Sequence, residues 1–275
     1  MQTILDRIVE TKREDVASAK RDRPIAQLKD AIEHAAPPRD FFKAVAGDPG
    51  GQDDAQGEAR IIAEVKKASP STGVIVRDYD PARMARVFHR HGAAAISVVT
   101  DGPYYQGALS HIAMVRQAVP LPVARNDFVV DAYQIYESRA AGADAVLLMA
   151  EVLGGRGVAE LLPHSRSLGM AVLVAVHTGQ QMDAVRAAIG EPGNGRYLLV
   201  ISNQDLERRR MGVTTTARLA SRLRDTSGLV AQGGIATRED VLLMQEAGAR
   251  AIVVGEALLR ADDPGAKLDE LRGRS

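Results

Sequence analysis

The chain contains no cysteine and no tryptophan. Without cysteine, disulfides, iron–sulfur clusters, thiolate zinc sites and thiol nucleophiles are excluded. Aromatic residues make up only 4% of the sequence, so a core must be assembled from Ala, Val, Ile, Leu and Met. Net charge is missing too: 35 basic side chains balance 35 acidic ones, leaving no global field to attract nucleic acid or an anionic membrane. No apolar run approaches the roughly 20 residues that span a bilayer. The opening MQTILDR is amphipathic with an early acid, unlike a secretory signal. These absences predict a soluble, cytoplasmic protein without nucleic-acid or membrane partners. Lysine is also scarce. Of the 35 basic residues only seven are lysines (Lys12, Lys20, Lys29, Lys43, Lys66, Lys67 and Lys267), and none lies between Lys67 and Lys267.

What is present is a regular alternation. Residues 1–45 read as an N-terminal helical extension, with Ile4, Leu5, Ile8, Val9, Val16, Leu28 and Ile32 at an irregular three-to-four spacing and a break near Pro24. Residues 46–60, centred on GDPGGQDDAQG, read as a flexible polar loop. From Ile61 onward come eight short apolar runs: IIAEV, AISVV, LPVA, AVLLM, AVLVAV, YLLVI, LVA and AIVV. Helix-period segments separate them, at 81–91, 132–141, 157–168, 180–189, 215–224 and 238–247 among others. Asp80-Pro81 and Thr237…Asp240 mark helix starts, while Gly92, Gly142, Gly169 and Gly248 mark helix ends. Unbroken apolar runs followed by amphipathic helices are the pattern of a parallel sheet covered on both faces. Eight such units, without the Gly-rich fingerprint of a dinucleotide fold after the first strand, predict an α/β fold: a single (β/α)8 barrel domain over 1–275, made of the helical extension 1–45, the loop 46–60 and the barrel 61–275.

Chemistry in such a barrel belongs at the C-terminal strand ends. The first strand ends Glu64-Val65-Lys66, and alternation turns Glu64 and Lys66 to the same inner face. They form either a structural ion pair or a cation and carboxylate for an acidic substrate. The seventh and eighth ends carry Gly233-Gly234 and Gly255-Glu256, a glycine pair placed where barrels hold phosphate on backbone N–H groups, the second pair opening the final helix. His177 has no partner histidine at metal spacing, so it reads as a packing or capping residue. No metal or cofactor is expected. Arg208-Arg209-Arg210, after the sixth strand, reads as a solvated run or a lure for an anion.

The strings IIAEVKKASPSTGVI, AAAISVVTDGPYYQG, LPVARNDFVVDAYQIYESRAAGADAVLL and VGEALLRADDPG, with the N-terminal ILDRIVETKREDV, resemble the indole-3-glycerol phosphate synthase family over nearly the whole chain. That resemblance implies a (β/α)8 barrel whose N-terminal helices help cover the mouth. It also implies cofactor-free conversion of a carboxyphenylamino-deoxyribulose phosphate to indole-glycerol phosphate, with release of CO2 and water. Glu64 and Lys66 match the family's Glu and Lys, the lysine contacting the substrate's anionic groups. Ser69 matches its ASPS serine, and Gly234, Gly255 and Glu256 match its phosphate-binding turns. Other positions depart from the family. Asn126 stands where the pattern R-K-D-F has its general-acid lysine, and Ala175 where V-E-V-H has a carboxylate. Ser202 and Gln204 replace an Asn and an Arg, while Gln232 and Gly233 replace an acid and a serine.

Three readings follow. The first is a carbon–carbon lyase of altered specificity on a phosphorylated arylamino-deoxyketose or related substrate. In it Glu64 serves as acid/base, Lys66 as anchor, and Asn126 and Ser202 as neutral donors. The second is the family reaction itself at a reduced rate; the third is a non-catalytic barrel that binds a phosphorylated ligand. All three take a small phosphorylated molecule as partner and a monomer or weak homodimer as the assembly.

Overall fold

Both faces of the apolar runs are covered, and in the computed structural model each becomes one strand of a closed parallel barrel. The structure describes residues 2–47, 59–192, 197–205, 210–211 and 214–274. The predicted loop around GDPGGQDDAQG falls largely on 48–58, and Arg208-Arg209 on 206–209, both outside the described residues.

The barrel strands are β1 (Arg60–Val65), β2 (Ala95–Val99), β3 (Val123–Asn126), β4 (Ala145–Met149), β5 (Ala171–Val176), β6 (Leu198–Ser202), β7 (Leu229–Gln232) and β8 (Ala251–Val254). Each pairs in parallel with its sequence neighbours, and β8 returns to β1 through the register Ile62↔Val253 and Ala63↔Val254. Successive side chains alternate between two environments. Ile61, Ala63 and Val65 face the helices, while Ile62, Ala95, Ala124, Ala145, Leu173, Leu198, Val230 and Ala251 fill the lumen. Small lumen residues on most strands explain how a barrel closes here with almost no aromatic side chains.

The extension forms α1 (Ile4–Asp22), α2 (Ile25–Glu33) and α3 (Phe41–Ala46). Thr3 caps α1 in a reciprocal box with Asp6. Besides the expected interruption near Pro24 there is a second one at 34–40, where Pro37-Pro38 cannot continue a helix. The three helices do different work. α1 lies at the mouth, where Leu5 and Ile8 pack on Phe128. α2 buries Leu28 with Val16 and Tyr133, and the Tyr133 hydroxyl donates to the Ala19 and Arg23 carbonyls at 2.9 and 2.8 Å. α3 presents fully buried Phe41 and Val45 to the lumen residues at the opposite end, where the strands begin, and so forms a floor.

The remaining helices are α4 (Pro81–Arg90), α5 (Ser110–Ala118), α6 (Ala132–Ala140), α7 (Ala150–Ser167), α8 (Gly179–Ile189), α9 (Thr214–Ala220), α10 (Arg238–Glu246), α11 (Glu256–Leu259) and α12 (Pro264–Arg272). The Asp80 carboxylate caps α4 with Pro81 at its first turn, and Thr237 and Asp240 form the box that starts α10. One expectation needs correction: Gly255-Glu256 opens the short α11, not the final helix. Asp263-Pro264 starts a separate last helix, because the Asp263 carboxylate accepts from the Gly265 and Ala266 N–H groups.

Candidate active site at the barrel mouth

The C-terminal strand ends enclose a cavity of about 550 Å³. Glu64 and Lys66 point into it from β1 and its exit, as alternation predicts. Lys66 Nζ donates to Glu64 Oε1 at 2.6 Å, and Asn126 Nδ2 donates to Glu64 Oε2 at 2.9 Å. Glu64 is buried, so each of its oxygens needs a partner, and each has one. Gly255 faces the same carboxylate. A Cβ there would overlap Glu64 Oε1 and lie 3.2 Å from its Cβ and Cδ, so any larger residue would displace the carboxylate from its present position.

Gly233 and Gly234 both adopt positive φ, 89° and 72°, a conformation that costs other residues. Their loop is tied to β6 by Asn203, which sequence reasoning did not single out. Asn203 Nδ2 donates to the Gly233 carbonyl at 3.1 Å, and its Oδ1 accepts from the Thr216 N–H and hydroxyl. Ser69 lines the opposite rim, where its hydroxyl accepts from the Thr72 N–H at 3.2 Å. Thr72 donates to Glu256 Oε1 at 3.4 Å, and Arg260 Nε donates to the same oxygen at 2.7 Å. Gly233, Gly234, Gly255, Glu256, Ser202, Ser69, Asn126, Glu64 and Lys66 therefore border one cavity. The side chain of Gln204 falls outside the described residues.

Three features escaped sequence reasoning. Ile4, Leu5 and Ile8 of α1 form an apolar wall with Phe128 and Tyr105. The helical spacing of the first three was legible, but not what their face would cover. Second, His177 is neither core nor cap. Thr178 caps α8, and His177 lends the cap only its N–H, donated to Gln181 Oε1 at 2.9 Å. Its ring stands in the mouth, Nδ1 at 3.7 Å from Glu151 Oε2. Third, Lys12 reaches from α1 to Asp101 and Asp127, at 2.8 and 3.0 Å. Burial opposes the ammonium charge, but Asp127 and Asp101 outweigh it and raise the Lys12 pKa above the ordinary lysine value. Burial likewise opposes ionisation of Asp127. Arg125, Lys12 and the Thr100 hydroxyl overcome it and lower that pKa to about 2.

Among the described residues no cluster of three or more His, Cys, Asp or Glu side chains could hold a metal. No described helix is long and apolar enough to cross a membrane.

The sequence model described as indole-3-glycerol phosphate synthase matches residues 5–271. The chain is 42% identical over 271 residues to indole-3-glycerol phosphate synthase of Albidiferax ferrireducens, covering 98% of each chain. It is 41% identical to that of Chromobacterium violaceum, again covering 98% of each. Among solved structures, a chain of the Pyrococcus furiosus tryptophan synthase complex superposes with a TM-score of 0.56 at 15% identity, covering 79% of this chain and 99% of that one. Thiamine phosphate pyrophosphorylase from Pyrococcus furiosus superposes with a TM-score of 0.57 at 16% identity, covering 79% and 95%. These two share the fold. The full-length match and the identities above 40% show more: the chain belongs to the indole-3-glycerol phosphate synthase family.

Proposed function

We propose that this single barrel domain, with its helical extension, performs the decarboxylative ring closure named for its relatives, on a phosphorylated arylamino-deoxyketose. The observation that carries the reading is the pairing of buried Glu64 with half-buried Lys66 in a cavity walled on one side by apolar residues and on the other by glycine turns. The reaction needs no cofactor. The ring carbon bearing the carboxylate bonds to the ketone carbon, and the ketone oxygen takes a proton. CO2 then leaves, its bonding electron pair returning to the aromatic ring. The new hydroxyl takes a further proton and departs as water, while the methylene carbon between the nitrogen and the former ketone carbon loses a proton to form the double bond.

Each part of that sequence has a residue suited to it. Ile4, Leu5, Ile8 and Phe128 hold the aromatic ring. Backbone N–H groups around Gly234 and Gly255–Glu256 take the phosphate, leaving the Glu256 carboxylate turned to Arg260. Lys66, the only lysine bordering the cavity, protonates the developing alkoxide, since Asn126 stabilises an oxygen without giving up a proton. Glu64, 2.6 Å from Lys66 Nζ, receives the proton released at dehydration and returns it. Gly233, Ser69 and Ser202 border the substrate.

A second reading is a related substrate in place of the family's own. It is favoured by Asn126 and Ala175, where the family pattern has a lysine and a carboxylate. One assay separates the two. Purified protein with the standard carboxyphenylamino-deoxyribulose phosphate is followed by indole fluorescence, beside Asn126→Lys. Indole product that rises with the added lysine supports the family reaction. Binding without product from the wild type shifts the proposal to a variant substrate, sought by mass spectrometry for loss of CO2 or water.

A further inference from the structure

Within the proposed ring closure, a charge develops on the ketone oxygen before any proton reaches it. The groups closest to that task are already engaged. Lys66 and Asn126 both donate to Glu64, and Asn126 cannot protonate what it touches. Tyr105 borders the same cavity, on the loop after β2. Its ring packs in the apolar wall, 6.1 Å from the Phe128 ring, in the cluster that contains Leu5 and Ile8. Among the described residues, the Tyr105 hydroxyl makes no hydrogen bond, in contrast to neighbouring Tyr104, whose hydroxyl lies 3.3 Å from Thr11 Oγ1.

The loop holds Tyr105 rigidly. The Asp101 carboxylate accepts from the Tyr104 N–H at 3.0 Å, the Gly107 N–H donates to the Asp101 carbonyl at 2.7 Å, and the Gln106 N–H donates to the Gly102 carbonyl at 2.8 Å. The Tyr105 carbonyl accepts from the Ala68 N–H at 3.2 Å, which ties the loop to the segment after β1. Gln106 is the one non-glycine residue with positive φ, 52°, among the described residues, and Gly107 approaches the Val99 carbonyl too closely for any Cβ. A non-glycine residue in that region is strained and persists only where the surroundings enforce it.

We infer that the Tyr105 hydroxyl is a further catalytic group of this site: a hydrogen-bond donor to the ketone oxygen as it becomes an alkoxide, with Lys66 delivering the proton. Burial first, then the Glu64 and Asp101 carboxylates, push the phenol pKa well above its ordinary value, so the hydroxyl keeps its proton and can donate it in a hydrogen bond. A donor of this kind in a water-poor site needs no reorganisation as charge appears. The inference rests on the ring-closure reading above.

Tyr105→Phe removes one oxygen and leaves the ring packing in place. With the standard arylamino-deoxyketose phosphate, the expected result is a fall in kcat of about 100-fold with KM changed less than about threefold, the signature of a donor felt mainly in the transition state. Tyr104→Phe, outside the cavity, should keep wild-type kcat. Adding Asn126→Lys to Tyr105→Phe should restore part of the loss by supplying a second acid. Equal kcat in wild type and Tyr105→Phe, with matching unfolding curves, overturns the role of Tyr105 and leaves the ring-closure reading standing. Wild-type protein that makes no indole product overturns that reading, and the role of Tyr105 in it, a result distinct from the previous one.

Discussion

Lys12 Nζ lies 3.0 Å from Asp127 Oδ1, with both side chains almost wholly buried. The pair joins the N-terminal helix to the residue that follows β3. Arg125 completes the unit, its Nη2 at 2.9 Å from Asp127 Oδ2 and its Nη1 at 2.8 Å from Glu137. Removing Lys12 leaves Asp101 and Asp127 buried with too little positive charge. Breaking one side of a buried pair costs about 3–5 kcal/mol. Lys12→Met should therefore lower the urea midpoint by an amount in that range, and Lys12→Met/Asp127→Asn should lose less than the sum of the two singles. Additive losses would show that the contact carries no coupling.

The same carboxylate sets an acid limit. The Asp127 pKa is depressed from 3.8 to about 2, so its ionisation stabilises the fold above pH 3.8 and that contribution is lost as pH falls toward 2. The depression corresponds to about 2 kcal/mol at neutral pH. Urea denaturation between pH 2 and 5 should show stability falling with acid, and Lys12→Met should flatten that fall because it removes one cause of the depression. An unchanged slope in Lys12→Met would assign the acid sensitivity to other groups.

Glu64→Gln keeps the shape of the β1 terminus and removes its charge and basicity. Loss of an acid/base group typically costs about 10²–10⁴ in rate. The expected outcome is a kcat reduced within that range, while calorimetry shows inorganic phosphate bound as in the wild type. Full activity in Glu64→Gln would remove Glu64 from the chemistry.

Gly255→Ala adds a methyl where Glu64 Oε1 already stands. Overpacking of this kind costs about 1–3 kcal/mol, and the carboxylate must also move off Lys66 and Asn126. Both stability and kcat should drop.

The barrel was legible because each of its strands is buried on both faces, so AVLLM and AVLVAV stand out as unbroken apolar runs. Period-two alternation also placed Glu64 and Lys66 on the inner face. The floor formed by α3 was not legible. FFKAVA resembles any amphipathic turn of helix, and which end of a barrel it closes is a tertiary fact. The approach of His177 to Glu151 was hidden for a similar reason: it joins the ends of neighbouring strands, a lateral proximity that no local spacing encodes. Tyr105 sits on a loop whose shape depends on a left-handed Gln106, and nothing in the residue type announces that conformation.

Gly255 and Glu64 meet where the last strand of the barrel returns to the first. The Glu64 carboxylate is thus shaped by the seam of the ring, by two segments separated by nearly the whole chain. A partly folded intermediate with seven strands in place would hold most of the core and none of the chemistry. Recovery of activity during refolding should accordingly lag behind recovery of secondary structure, and report the moment at which the ring shuts.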